Sequence, residues 1–253
     1  MDRRAKLSKL SGAMLGLVLA CASISATSLA VQGDCVILIH GAGRTCASMI
    51  PMQCFLMCHG YRVVNAQFTS TGRSIEEIAD SDFPGILKEL DPAAKVHFVA
   101  HSMGAIILRQ YLASHAVTNL GRVVMLGPPN HGSEIIDRLR PFPLFRSILG
   151  RRLTELGTDS KDLPSRLGPA KFDCGVIAGD VPANPLTGAM LHGPNDGKVL
   201  VESARLDGMR DFLVVHHSHT WMIWNKDVMR QALAFLHSGA FDHNVTTNEN
   251  SKQ

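Results

Sequence analysis

The chain has 253 residues, of which 45% are hydrophobic and 19% charged, and this is enough apolar material for one sizeable core. We therefore expect a single domain. The formal net charge is only +3 and no run of lysines or arginines forms a basic tail, so nothing in the charge pattern predicts a nucleic-acid partner.

The first thirty residues have the three parts of an export signal. Residues 1–9 are basic, residues 10–20 are apolar but too short to span a bilayer comfortably, and small residues follow. Residues 1–30 are therefore predicted to be a signal peptide or an N-terminal anchor, and the protein to be exported, either periplasmic or secreted. Residues 18–21 (VLAC) resemble a lipoprotein box, so membrane attachment through Cys21 stays open.

Strand and helix patterns alternate over residues 31–238, which we predict to be the globular domain. Apolar runs such as CVILIH are typical of strands buried on both faces of a sheet. Strands are predicted at residues 35–40, 61–67, 96–100, 122–126, 175–178 and 211–216. Helices are predicted at residues 47–57, 74–90 with an interruption near Pro84, 103–115 and 228–237. This alternation predicts an α/β fold with a mostly parallel, doubly wound sheet.

Two segments depart from the alternation. Residues 130–171 contain four prolines and a run of arginines among apolar residues, and they predict a small cap or insertion over one end of the sheet. Within it, residues 138–152 are expected to contact lipid or an acyl chain. The tail at residues 239–253 is polar and is predicted to be flexible.

Cysteines provide the first candidate for a metal site. Cys46, Cys54 and Cys58 fall on nearly one face of a predicted helix, but no histidine or carboxylate stands beside them at ligand spacing. We interpret them as buried thiols that pack as small apolar residues, while a disulfide between Cys46 and Cys54 stays open. No metal or cofactor is expected.

Ser102 lies in the sequence AHSMG, between a predicted strand and a predicted helix. A serine at a helix start is explained by capping alone. However, a sharp strand–turn–helix elbow also exposes a serine hydroxyl at the end of a sheet and needs small residues two positions away on each side. Ala100 and Gly104 meet that requirement. Its neighbour His101 is expected to face away from Ser102 and to serve in packing or hydrogen bonding.

A serine nucleophile also needs donors for the developing oxyanion. The sequence HGAG follows the first predicted strand and offers a loop that contains two glycines. Taken alone, it is a plain turn. Together with AHSMG, it predicts that the backbone N–H groups of Ala42 and Met103 form an oxyanion hole.

An acid and a base are expected after the serine, in that order along the chain. Asp196 lies in a turn between the last two predicted strands and is the first choice for the acid, with Asp180 as the alternative. The base is one of three histidines after the last strand. We favour His219, because His216 continues the strand and His217 lies at its tip.

These motifs resemble those of α/β-hydrolases of the bacterial lipase and esterase type. The matching blocks are LIHGAGRT, HFVAHSMGA, VMLGPPNHGSE, GPNDGKVLVESARLDGM and SHTWMIWN. The resemblance implies an α/β-hydrolase fold, a nucleophile at Ser102, an acid at Asp196, a base at His219 and oxyanion donors at Ala42 and Met103. The long run at residues 180–194 before Asp196 departs from the family pattern.

The residues and the resemblance together predict a serine hydrolase that acts on ester or lipid substrates. Contact with a membrane surface stays open. An acyltransferase that uses the same three side chains is the alternative. A non-catalytic binding module is a further one, although such proteins usually lose one of the three residues.

Overall fold

A computed structural model describes residues 33–68 and 72–244. Within them, six strands form one sheet in the order β2-β1-β3-β4-β5-β6, and every neighbouring pair is parallel. The strands are β1 (Cys35–Ile39), β2 (Arg62–Ala66), β3 (Val96–His101), β4 (Leu120–Leu126), β5 (Cys174–Gly179) and β6 (Asp211–Val215). The predicted parallel sheet is thus confirmed.

Nine helices connect or cover these strands in the described residues. They are α1 (Ile50–Cys58), α2 (Ile75–Lys88), α3 (Met103–Ser114), α4 (Glu134–Leu139), α5 (Pro143–Thr154), α6 (Leu163–Arg166), α7 (Pro185–Ala189), α8 (Val201–Ala204) and α9 (Lys226–Ser238). Two short 3₁₀ turns, Cys46–Met49 and Met222–Trp224, precede α1 and α9.

The sheet is covered on both faces, as its sequence predicts. In β1, Ile37 and Ile39 pack into a cluster with residues of α2 and α3, whereas Val36 and Leu38 pack into a second cluster with residues of α1 and α9. All five residues of this strand are buried. Because successive strand side chains point to opposite faces, a continuous apolar run is what a doubly covered strand requires.

The strand order determines where the functional loops emerge. β1 lies between β2 and β3, with Ile39 opposite Ala100 in the register. The chain therefore leaves β1 and β3 side by side, at the point where the strand order reverses direction. In open parallel sheets, the crevice at the carboxyl ends of such strands is the usual ligand site.

The predicted cap region, residues 130–171, contains three short helices, α4, α5 and α6. Helix α5 is divided at Gly150, whose φ of 70° is not helical. Arg109 of α3 ties the region to the core, because its buried guanidinium donates to the carbonyl oxygens of Asn130 at 3.1 Å and Gly168 at 2.7 Å.

Two sequence predictions about helix and domain ends are wrong. Helix α2 runs through Pro84 without interruption, since Pro84 is exposed and buried residues of the preceding turns anchor the helix. Its start carries a capping box between Ser74 and Glu77. The domain also continues past residue 238, because Phe241 is buried against Phe235 and its N–H donates to Asp211 at 2.7 Å.

The cysteines on α1 and before it are less buried than predicted. Cys58 is exposed and Cys46 and Cys54 are half-buried, because this side of α1 faces outward. Cys35, Cys46, Cys58 and Cys174 are free thiols.

The predicted signal segment, residues 1–30, lies outside the described residues and stays a prediction. None of the helices described within residues 33–244 is long and apolar enough to cross a membrane.

Candidate active site

Ser102 occupies the turn between β3 and α3. Its backbone has φ 55° and ψ −127°, and among the described residues it is the one non-glycine residue with a positive φ. Such a conformation costs about 1–3 kcal/mol and persists only where the surroundings enforce it. Two features hold the Ser102 backbone in this conformation. Its N–H donates to the carbonyl oxygen of Leu126 at 2.9 Å, and helix α3 begins at the next residue.

The small residues around Ser102 are required by close packing. A Cβ atom at Gly104 would lie 2.6 Å from the carbonyl oxygen of His40 and 2.8 Å from the Ile39 side chain. No side chain therefore fits there without displacing β1. Ala100 on the other side is fully buried. The sequence pattern of small residues at these two positions follows from the crossing of strand and helix.

His219 lies in the loop after β6, and its ring reaches Ser102. Nε2 of His219 is 2.8 Å from the Ser102 hydroxyl, and Nδ1 is 2.7 Å from Oδ2 of Asp196. A carboxylate only accepts hydrogen bonds, so Nδ1 carries the proton and Nε2 is free to accept from the serine hydroxyl. The structure thus brings together the three predicted side chains in one hydrogen-bonded chain.

Asp196 is held rigidly in its turn. Its Oδ1 atom accepts from the backbone N–H groups of Lys198 at 2.9 Å and Val199 at 2.8 Å, and the residue is 2% exposed. The alternative acid, Asp180, accepts instead from Nδ1 of His216 at 3.0 Å on the surface. Asp180 and His216 therefore form a separate pair, and His219 is the histidine whose ring reaches Ser102.

The two predicted oxyanion donors flank the serine. Ala42 follows β1 and lines the same cavity as Ser102. Met103 is buried and is the first residue of α3, so its N–H has no partner within the helix. The loop that carries Ala42 lies close to the elbow, since a Cβ at Gly41 would be 2.8 Å from Nδ1 of His101.

His101 has a more specific position than its sequence predicts. Its Nε2 donates to the backbone carbonyl oxygen of His219 at 3.0 Å, and the two rings lie 4.9 Å apart. The predicted hydrogen-bonding role is present, but the residue lines the cavity with Ser102 and does not simply face away from it. Burial, and then the neighbouring His219, hold the pKa of His101 well below 6.5, so the ring is neutral at pH 7.

Gly127 is a site residue that the sequence analysis missed. It follows β4 with φ 54°, and a Cβ atom there would lie 3.1 Å from both Asp196 Oδ2 and His219 Nδ1. The Gly127 backbone is therefore packed directly against the contact between these two side chains. The signal was present in the sequence as a glycine after a predicted strand, but nothing local indicates what it touches.

A cavity of about 400 Å³ opens over Ser102. Part of its wall is apolar and comes from the cap region, through Ile135, Ile136, Leu153 and Leu156. The remainder comes from the loops after β1, β3, β4, β5 and β6 and from the turn that holds Asp196. Its volume lies near the lower end of the range for small-molecule sites, roughly 300–1,000 Å³.

Two polar residues of the PNHGS sequence after β4 differ in position. His131 is exposed. Ser133 lines the cavity, and its hydroxyl donates to the carbonyl oxygen of Lys198 at 2.7 Å; it does not cap helix α4. Among the residues that the structure describes, no group of three or more potential ligands is arranged to hold a metal ion.

The residues that form the sheet and the cavity match the sequence model of a known protein family. The sequence model described as "Alpha/beta hydrolase family" matches residues 36–241. No curated protein sequence matches the chain significantly.

Solved structures with this fold include proteins named as lipases and esterases. The mature form of Bacillus licheniformis lipase BlEst2 has a TM-score of 0.66 at 20% identity, over 80% of this chain and 91% of that chain. The metagenomic carboxyl esterase MGS0156 has a TM-score of 0.62 at 18% identity, over 82% of this chain and 76% of that chain. Staphylococcus hyicus lipase has a TM-score of 0.58 at 13% identity, over 81% of this chain and 91% of that chain. At these identities the likeness shows a shared fold.

Proposed function

The chain belongs to the alpha/beta hydrolase family, and from this membership we propose that it hydrolyses carboxylic esters with Ser102 as nucleophile, His219 as base and Asp196 as the acid that orients the base. One observation carries the proposal. The Ser102 hydroxyl, the His219 ring and the Asp196 carboxylate form a continuous hydrogen-bonded chain that ends in a cavity. The lipases and esterases among its structural neighbours are consistent with it.

The tautomer of His219 supports the first step. With the proton on Nδ1, Nε2 takes the hydroxyl proton as Ser102 Oγ attacks the ester carbonyl carbon. The imidazolium that forms is stabilised by Asp196 at 2.7 Å. It then returns the proton to the leaving alcohol, and water activated by His219 releases the acid from Ser102 in a second addition and collapse.

Negative charge develops on the carbonyl oxygen in both steps. Backbone N–H groups that point to this oxygen from a fixed loop and a helix start stabilise it without reorganisation. We assign this role to Ala42, which follows β1 and lines the cavity, and to Met103, which follows Ser102 as the first residue of α3.

The apolar wall is proposed to hold the acyl chain. Leu153 of α5 and Leu156 just after it line the cavity, while Phe142 and Leu144 at the start of α5 are 60% and 72% exposed. An apolar wall inside and exposed apolar residues outside are suited to an ester that is partly embedded in a lipid surface. Replacing residues 138–152 with a Gly/Ser linker is expected to lower activity on long-chain esters more than on acetate esters; unchanged long-chain activity would contradict the lipid contact.

The decisive experiment compares wild type with Ser102→Ala on p-nitrophenyl esters from acetate to palmitate. We expect the variant to lose about 10⁴-fold or more in kcat/KM. Ser114→Ala, an exposed serine at the end of α3, is the matched control and is expected to retain wild-type rates. Equal rates for wild type and Ser102→Ala would refute the assignment of the nucleophile.

Product analysis in the same assay separates hydrolysis from acyl transfer. With a short-chain alcohol added as acceptor, a hydrolase releases mainly free acid. A new ester as the main product at low acceptor concentration would move the assignment to an acyltransferase with the same three residues.

A further inference from the structure

Two positive side chains line the cavity that contains Ser102. They are Arg44, in the loop after β1, and Lys198, two residues after Asp196. Asp196 is the one carboxylate among the lining residues, and its oxygens are engaged by His219 and by two backbone N–H groups. Within the described part of the chain, neither Arg44 nor Lys198 forms an ion pair with a carboxylate.

Arg44 is held in place by an aromatic ring. Its guanidinium carbon lies 6.0 Å from the centroid of Trp224, within the range of a cation–π contact. The indole N–H of Trp224 in turn donates to the carbonyl oxygen of Ser48 at 2.9 Å. The aromatic ring beside the Arg44 guanidinium is therefore itself hydrogen-bonded to the main chain.

Lys198 is placed by the turn that orients the acid. Its backbone N–H donates to Asp196 at 2.9 Å, and its carbonyl oxygen accepts from Ser133 at 2.7 Å. Desolvation, and then the positive charge of Arg44, lower the pKa of Lys198. Both cations line the same cavity, where the positive charge of Arg44 disfavours that of Lys198, and Arg44 is half-buried. An anion bound between them offsets this repulsion.

We propose that Arg44 and Lys198 form an anion subsite beside Ser102, and that the preferred substrates are esters that carry a carboxylate or phosphate near the scissile bond. This inference rests on the proposed ester hydrolysis at Ser102. A ligand that fills a cavity of about 400 Å³ reaches both cations and the hydroxyl at once, because all three line it. A guanidinium and an ammonium are the side chains that recognise these anionic groups most strongly.

The test measures a ratio of kcat/KM values for matched anionic and neutral esters. Mono-4-nitrophenyl glutarate and 4-nitrophenyl pentanoate place the charge on the acyl side, and 4-acetoxybenzoate and its methyl ester place it on the alcohol side. Dihexanoylphosphatidate and dihexanoylglycerol, below their micellar concentrations, test a lipid phosphate. We expect the wild type to favour the anionic member of at least one pair by about tenfold or more. The pair that shows the preference distinguishes a small carboxylate from a lipid phosphate.

Variants connect the preference to the two side chains. In Arg44→Gln/Lys198→Gln, the ratio is expected to fall close to one, and raising NaCl to 0.5 M is expected to lower the wild-type ratio in the same direction. The matched control is Arg62→Gln/Lys95→Gln, in which the same charges are removed at the amino ends of β2 and β3, at the opposite edge of the sheet. This control is expected to keep the wild-type ratio.

The outcomes separate this inference from the proposed function. Ser102-dependent cleavage of neutral esters without an anionic preference in any pair overturns the anion subsite alone. A preference that persists in the double variant also overturns it. If the double variant does not fold, competitive inhibition of the wild type by glutarate or inorganic phosphate, absent for neutral glutaramide, supplies the same test. Failure of the nucleophile is recognised separately, by equal cleavage of neutral esters in wild type and Ser102→Ala.

Discussion

Asp196 contacts His219 through two different atoms. Its Oδ2 lies 2.7 Å from Nδ1 of the ring, and its backbone carbonyl oxygen accepts from the His219 N–H at 3.0 Å. The aspartate therefore fixes both the ring and the main chain of the histidine, although the two residues lie 23 positions apart. The first prediction follows from this contact.

Asp196→Asn is expected to lower kcat by about 10³–10⁴-fold, because the neutral amide cannot stabilise an imidazolium and permits the wrong histidine tautomer. The two N–H groups that bind Oδ1 still find an oxygen in asparagine, so the fold is expected to remain. Asp180→Asn is the control, since Asp180 pairs with exposed His216. A large loss in Asp180→Asn with little loss in Asp196→Asn would reverse the assignment of the acid.

Gly127→Ala is expected to lower kcat by about tenfold to a hundredfold, because its Cβ would press on the contact between Asp196 and His219. Gly168→Ala is a close control. Gly168 also has a positive φ, of 65°, but a Cβ there meets nothing within 4 Å. Both variants are expected to lose about 1–2 kcal/mol in the free energy of unfolding, whereas only Gly127→Ala loses activity. Equal kcat in the two variants would contradict this role of Gly127.

The stability of the protein is expected to fall on acidification below about pH 6.5. Desolvation lowers the pKa values of His40, His97 and His101 in the folded state, so below 6.5 the unfolded chain binds more protons than the native one. Their contribution is fully present above pH 6.5 and is lost as pH falls, by at most about 1.4 kcal/mol per pH unit for each group.

Chemical denaturation between pH 5 and 8 measures this dependence. His101→Gln is expected to flatten the acid side of the profile, even if it lowers stability at pH 7. His131→Gln, at an exposed histidine, is expected to leave the slope unchanged. An identical slope in wild type and His101→Gln would show that His101 does not contribute.

As pH rises, the preference for anionic esters is expected to disappear at a lower pH than it would with a lysine of ordinary pKa. Desolvation and the neighbouring Arg44 lower the pKa of Lys198 from 10.5, while Asp196 opposes them, so the ammonium loses its proton earlier as pH rises. Lys198→Arg keeps its charge over this range. We therefore expect the ratio of anionic to neutral kcat/KM to fall with pH in wild type and to stay constant in Lys198→Arg. Parallel pH profiles in the two proteins would contradict the role of the Lys198 charge.

The sequence was most informative where local patterns determine the structure. All six strands were predicted, because runs such as residues 35–39 have no polar alternation and suit only a doubly covered sheet. Ser102 was identified by the small residues around it, whose necessity is now visible in the 2.6 Å approach at Gly104.

Contacts between distant segments were not predictable in the same way. The hydrogen bond from His101 to His219 spans 117 intervening residues, and the packing of Gly127 against Asp196 depends on how two loops meet. A helix break was predicted at Pro84 because a proline inside a helix removes a backbone hydrogen bond and crowds the preceding turn. In the folded protein, the packing of the buried residues before Pro84 outweighs that cost. The sequence favoured Asp196 over Asp180, but the two are separated only by the positions of His219 and His216 in space.

The positive φ of Ser102 has a consequence for the evolution of this protein. A backbone with φ 55° and ψ −127° suits glycine, which adopts it without strain. Ser102→Gly is therefore expected to abolish activity and yet raise the melting temperature. By this expectation, selection for stability alone favours glycine at this position. The proposed nucleophile therefore carries a cost in stability, which its function as a nucleophile would have to outweigh.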